Sequence, residues 1–85
     1  MTPLIDDSLK EAFGDAVRKS RLSAGLSQEK LAELADIHRT YIGDVERGLR
    51  NIALVNMYRI SAALGVPLSS IIRDMEKSID ASGTI

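Results

Sequence analysis

Apolar positions in this chain recur at spacings of three and four, and no useful length alternates with the period of two expected of a half-buried strand. Ser8 and Glu11 fit a capping box, after which Ala12, Phe13, Ala16 and Val17 share one helical face. Gly25 suits the left-handed conformation that follows a helix, so the first helix is expected to end there. Ser27 is a good N-cap for a short second helix with Leu31, Leu34 and Ala35 inward. A break at Asp36-Ile37 separates it from a third helix over about 39–47, with Ile42 and Val45 buried and Gly48 as its stop. Leu54, Tyr58, Ile60 and Leu64 mark a fourth helix closed by Gly65. Pro67 is tolerated at the start of a fifth, whose inner face is Leu68, Ile71, Ile72 and Met75. Residues 1–6 and 80–85 read as loose ends around a core of about 8–79. The expected fold class is all-α, five short helices in one domain.

Only about three residues separate the second helix from the third, so the two must cross steeply, as in a helix-turn-helix. Such a unit needs a small side chain where its helices touch, and Ala32 supplies it. Leu31, Ala35, Ile37, Ile42 and Val45 fall where apolar residues would lock the pair onto the rest of the domain. The turn favours a residue that accepts a positive φ. Asp36 stands there and tolerates that conformation better than most residues do.

Eighty-five residues leave no room for a second core, and with only Phe13, Tyr41 and Tyr58 as aromatics the core is expected to be aliphatic. The chain has no cysteine, which excludes disulfides and thiolate metal sites and fits a reducing cytoplasm. A single histidine, His38, leaves little for metal binding or for a nucleophile–base pair, so neither a cofactor nor an enzyme is expected. No apolar run approaches the roughly 20 residues that span a bilayer. The formal net charge of −1 conceals a polarity: residues 18–59 carry +3, residues 1–17 carry −3 and residues 60–85 carry −1. A polyanion would meet the local charge of the middle segment, not the average.

That positive middle is concentrated in HRTYIGDVERGLRN, residues 38–51, which holds three arginines. With Ile42 and Val45 inward, Arg39, Thr40, Gly43, Asp44 and Arg47 share the outward face of the third helix. A helix of this size fits a major groove, where Arg39 can bond a guanine O6/N7 edge and Thr40 a thymine methyl or a phosphate. Gly43 would let the backbone approach closely. Arg47, Arg50 and Asn51, at and beyond the helix end, suit sugar-phosphate contacts. Asp44 can accept from cytosine N4 or repel phosphates, so it could act by attraction or by exclusion. His38 reads as the cap of the third helix rather than a base reader.

The run GLSQEKLAELADIHRTYIGDVERG resembles the phage repressor/Cro-like (XRE-type) helix-turn-helix family, whose five-helix domain can be laid on residues 9–75. RTYIGDVERGLRN, with Tyr41 inside it, further resembles the controller proteins of restriction–modification systems, in which a similar run reads the operator. The resemblance implies that Gln28 contacts phosphate and braces the recognition helix, and that Arg21 and Glu46 form an ion pair tying helix one to helix three. It also sets Glu29 and Glu33 where activators of the family touch RNA polymerase; the plain alternative is a solvated acidic face. Ala53, where the family usually has a capping Ser or Thr, and Pro67, in place of a polar residue, depart from the pattern without touching the DNA face.

Leu68, Ile71, Ile72, Met75 and Ile79 are more apolar surface than one short helix would bury in so small a domain, and an exposed apolar patch marks a partner. The resemblance points the same way, to a homodimer formed through the last helices. A two-fold dimer would set two recognition helices about 34 Å apart and require a palindromic operator in double-stranded DNA. The expected function is therefore a cytoplasmic, sequence-specific transcriptional regulator, a restriction–modification controller. The alternatives on the same fold are an antitoxin and another autoregulatory XRE-type repressor.

Overall fold

In the computed structural model, which describes residues 3–82 and the side chains of 5–81, helices follow one another without a strand among the described residues. They are α1 (Pro3–Ser23), α2 (Gln28–Ala35), α3 (Arg39–Glu46), α4 (Leu54–Leu64) and α5 (Leu68–Ser82). The apolar stripe Phe13, Ala16 and Val17 of α1 meets Leu31, Ala32 and Ala35 of α2, Ile42 and Val45 of α3, Ile60 and Leu64 of α4, and Ile71 of α5 in one aliphatic core. The α1–α5 pair is the most extensive helix contact, and α1 also lies across α3 and α4.

Four turns close as their residues dictate. Ser27 caps α2, its hydroxyl accepting from the Lys30 amide at 3.0 Å. Asp36 ends that helix in the left-handed conformation (φ 56°), and is the only non-glycine residue with positive φ among those described. Its amide donates to Glu33 O at 3.3 Å and that of Ile37 to Ala32 O at 3.0 Å, which satisfies carbonyls the helix would otherwise leave bare. Gly48 does the same for α3, and here no other residue would serve. Its φ is +74°, and an added Cβ would lie 2.7 Å from Glu11 Cγ and 3.0 Å from Glu11 Cα. α4 begins at Ala53, which makes no side-chain capping hydrogen bond, and ends at Gly65 (φ 74°).

Three expectations are corrected. α1 starts at Pro3, not at Ser8, so Ser8 lies within the helix and residues 3–6 are helical; at the other end α5 runs on to Ser82. Of the expected loose ends, residues 1–2 and 83–85 lie outside the described residues. Secondly, Leu34, expected inward, is 51% exposed; of the residues that mark α4, whose face the pattern leaves open, Leu54 and Tyr58 are 68% and 65% exposed. The inward face of α4 is Met57, Ile60, Ser61 and Leu64, with the buried Ser61 hydroxyl donating to Tyr58 O at 2.9 Å. Thirdly, Ile71 and Ile79 are fully within the core, while Leu68, Ile72 and Met75 are half-buried against it. α5 packs along α1, and Ile71 and Ile79 are therefore not spare surface.

Candidate nucleic-acid interface

α3 is short, and its orientation is fixed from below. Where α1 passes beneath it, Gly14 removes the side chain that would separate the two backbones. A Cβ there would strike the Val45 carbonyl oxygen and come within 2.9 Å of Glu46 O. Beside this crossing, Arg21 of α1 grips Glu46 of α3 with two parallel hydrogen bonds, Nε to Oε2 at 2.7 Å and Nη2 to Oε1 at 3.0 Å. The remaining Arg21 nitrogen, Nη1, donates to Leu26 O at 2.9 Å, and Gln28 Nε2 donates to Glu46 Oε1 at 3.0 Å. α1, the loop before α2, α2 and α3 thus converge on one ion pair, whose carboxylate side chain is 3% exposed. The hydrogen bonds it donates to Glu46 hold the Arg21 guanidinium above its ordinary pKa; burial works against that shift and the opposite charge adds to it.

With its inner side so held, α3 turns Arg39, Thr40 and Arg47 outward, all exposed, and Arg50 and Asn51 lie exposed just beyond its end. These expected DNA-facing side chains are brought onto one surface. Arg50 curls back over the helix because Gly48 reverses the chain. Its guanidinium lies 5.0 Å from the centroid of the Tyr41 ring, a cation–π distance. Asp44 is half-buried and takes hydrogen bonds from two arginines, from Arg47 Nη2 at 2.6 Å and from Arg50 Nε at 3.2 Å. Arg39 faces Glu29 of α2 at 4.0 Å, and Glu33 accepts from Lys30 Nζ at 3.2 Å; all four side chains are largely in solvent, where such pairs contribute little.

Two site expectations change. Gly43 is buried, not presented outward: its α-carbon is covered by Arg47 Nη1 at 3.4 Å and Gln28 Oε1 at 3.8 Å from where a Cβ would sit. His38 occupies the N-cap position of α3, but its side chain makes no capping hydrogen bond. Tyr41 is tied down as well, its hydroxyl accepting from Asn56 Nδ2 of α4 at 3.2 Å. Sequence reasoning passed over Asn56 and Gly14. The signal for Gly14 was a glycine inside an otherwise good helical pattern, which marks a close backbone approach. Among the described residues there is no cluster of His, Asp and Glu fit to hold a metal, and no helix is long and apolar enough to cross a membrane.

A rigidly seated short helix, crossing its predecessor after a three-residue turn and lined outward with arginines, defines a helix-turn-helix protein. The chain belongs to that family, whose model matches residues 17–71. Within it the chain groups with control proteins. It is 54% identical over 61 residues to control protein C.BamHI of Bacillus amyloliquefaciens, covering 71% of this chain and 75% of that one. It is 43% identical over 72 residues to control protein C.MunI of a Mycoplasma species, covering 84% and 97%. Among solved structures it is similar to the restriction-modification controller protein C.AhdI from Aeromonas hydrophila. That match has a TM-score of 0.71 and 43% identity, over 72% of this chain and 92% of the other.

Proposed function

We propose that the protein is a sequence-specific DNA-binding transcriptional regulator, a restriction–modification controller that works in the cytoplasm as a homodimer on a near-palindromic operator. The observation that carries this reading is the outward face of α3. Arg39, Thr40, Arg47, Arg50 and Asn51 stand on one surface, on a helix whose tilt is fixed by Arg21, Gln28 and Glu46. Base readout needs that division, with side chains free to reach edges and a backbone that does not give way. Arg39 would read a base and Thr40 a base or phosphate, while Arg47, Arg50 and Asn51 would hold the sugar-phosphate backbone. The control-protein relatives support the biological assignment.

We place the homodimer surface on the exposed side of α4. Leu54, Val55 and Tyr58 are 68%, 62% and 65% exposed, and their spacing sets them together on the side of α4 away from the core. Three large apolar side chains in one exposed patch are the usual mark of a partner surface. A second copy suits it, because a two-fold axis there pairs one recognition surface with another, as a palindromic operator requires. RNA polymerase remains a further partner through Glu29 and Glu33 on the outer side of α2.

Selection of duplexes from a random-sequence pool by the purified protein tests the reading. Enrichment of one inverted repeat with half-sites about one DNA turn apart is expected. Failure to enrich any sequence overturns it.

A further inference from the structure

Among the arginines of the α3 surface sits a single carboxylate of the same helix, Asp44, and it engages two of them. Oδ1 lies 2.6 Å from Arg47 Nη2, and Oδ2 lies 3.1 Å from Arg50 Nη2 and 3.2 Å from Arg50 Nε. The Asp44 side chain is 19% exposed, against 62% for Arg47 and 48% for Arg50, so the carboxylate is shielded by the cations it holds. The Arg50 guanidinium also lies against the Tyr41 ring, 5.0 Å from its centroid. In the free protein, then, the two cations best placed for phosphates already have an anion.

We propose that Asp44 is a specificity-determining residue: by holding Arg47 and Arg50 in internal pairs, it suppresses binding to DNA of arbitrary sequence and makes tight binding depend on base contacts. This rests on the DNA-binding reading above and adds to it the means by which unmatched DNA is refused. Affinity for any duplex grows with the number of phosphates that cations neutralise, whatever the sequence. A phosphate approaching Arg47 or Arg50 must displace Asp44 or bind beside it, and in the second case it meets a like charge. Contacts made elsewhere, at Arg39 and Thr40, have to offset that loss, and only a matching sequence supplies them. The carboxylate thus lowers affinity for every duplex, and only those whose base contacts offset the loss are still bound tightly.

The test is Asp44→Asn, nearly isosteric and without the charge, compared with the wild-type chain on the selected operator and on a random-sequence duplex over a range of salt. On the random duplex, Asp44→Asn should bind about tenfold tighter, with a slope against log salt steeper by about one to two units. In an Arg47→Gln, Arg50→Gln background the same substitution should have little effect, because the cations it frees are gone. Unchanged or weaker binding to the random duplex overturns the proposal, as does a loss confined to one operator base pair, which would make Asp44 a base reader. If the wild-type chain enriches no sequence at all, the functional reading fails and takes this one with it. If it enriches one while Asp44→Asn leaves random binding unaltered, only the role of Asp44 fails.

Discussion

Glu46 accepts two hydrogen bonds from Arg21 and one from Gln28 while its side chain is almost entirely out of water, so its partners cannot be removed without consequence. Arg21→Ala leaves a shielded carboxylate with only Gln28, and should cost roughly 3 kcal/mol, read from urea unfolding at pH 7. The Arg21 pKa is raised by folding, so on the guanidinium side this stabilisation is lost as pH rises through the guanidinium range. Arg39→Ala belongs to a different class. It should leave the unfolding midpoint in place and cost roughly 1–3 kcal/mol on the operator, relaxing preference at one base pair. Arg50→Ala should weaken all sequences alike and flatten the salt slope by about one unit. A panel of point-mutated operators separates the two; an equal loss on every site for Arg39→Ala refutes base reading. The Arg21–Glu46 pairing was legible because a fork and a carboxylate stand at positions that the family resemblance joins. The covering of Gly43 was not, since it depends on which way Gln28 and Arg47 fold over the helix, and spacing alone does not say.

Elements were legible to the degree that their faces are unambiguous. α2, α3 and the three glycine turns fall where capping and periodicity place them, because short helices with strong end signals leave few choices. α4 runs from Leu54 to its Gly65 cap as expected, but it carries apolar residues on both sides. Leu54 and Tyr58 are four apart and look like a stripe, yet Met57, Ile60, Ser61 and Leu64 form the buried one, and a buried serine is invisible to an apolar pattern. α1 misled through Ser8 and Glu11, which satisfy a capping box in sequence while the helix runs straight through them. Two substitutions test how elements are held. Gly14→Ala forces α1 from α3 by inserting a methyl group against backbone oxygens, and should cost about 1–3 kcal/mol of stability and weaken operator binding with it. Ala53→Ser supplies the cap that α4 lacks and should add about 0.5–1 kcal/mol, seen as a higher thermal midpoint.

For the molecule as a whole, the sequence leads one to expect assembly through α5, and the structure alters that expectation at two residues, since Ile71 and Ile79 are buried within the chain itself while Leu54, Val55 and Tyr58 of α4 are exposed. Tyr58→Asp or Val55→Asp should therefore give a folded monomer with most operator affinity lost, whereas Ile71→Asp should unfold the chain outright. Sedimentation with circular dichroism distinguishes the two, and a folded monomer from Ile71→Asp would return the interface to α5. On the other flank, Glu29→Gln with Glu33→Gln frees Arg39 from its long-range pair and removes negative charge near phosphates. Operator affinity should be equal or slightly higher while activated transcription falls; unchanged activation reduces the pair to a solvated face. Through all these changes the contact at Gly14 and the grip on Glu46 keep the underside of α3 constant, while Arg39, Thr40 and Arg47 take no part in the core. Folding and recognition are thereby written in separate codons of the same two turns of helix. Descendants of one ancestral gene can diverge in the operators they obey without passing through an unfolded intermediate, and two such systems sharing a cell can become deaf to each other by a handful of substitutions.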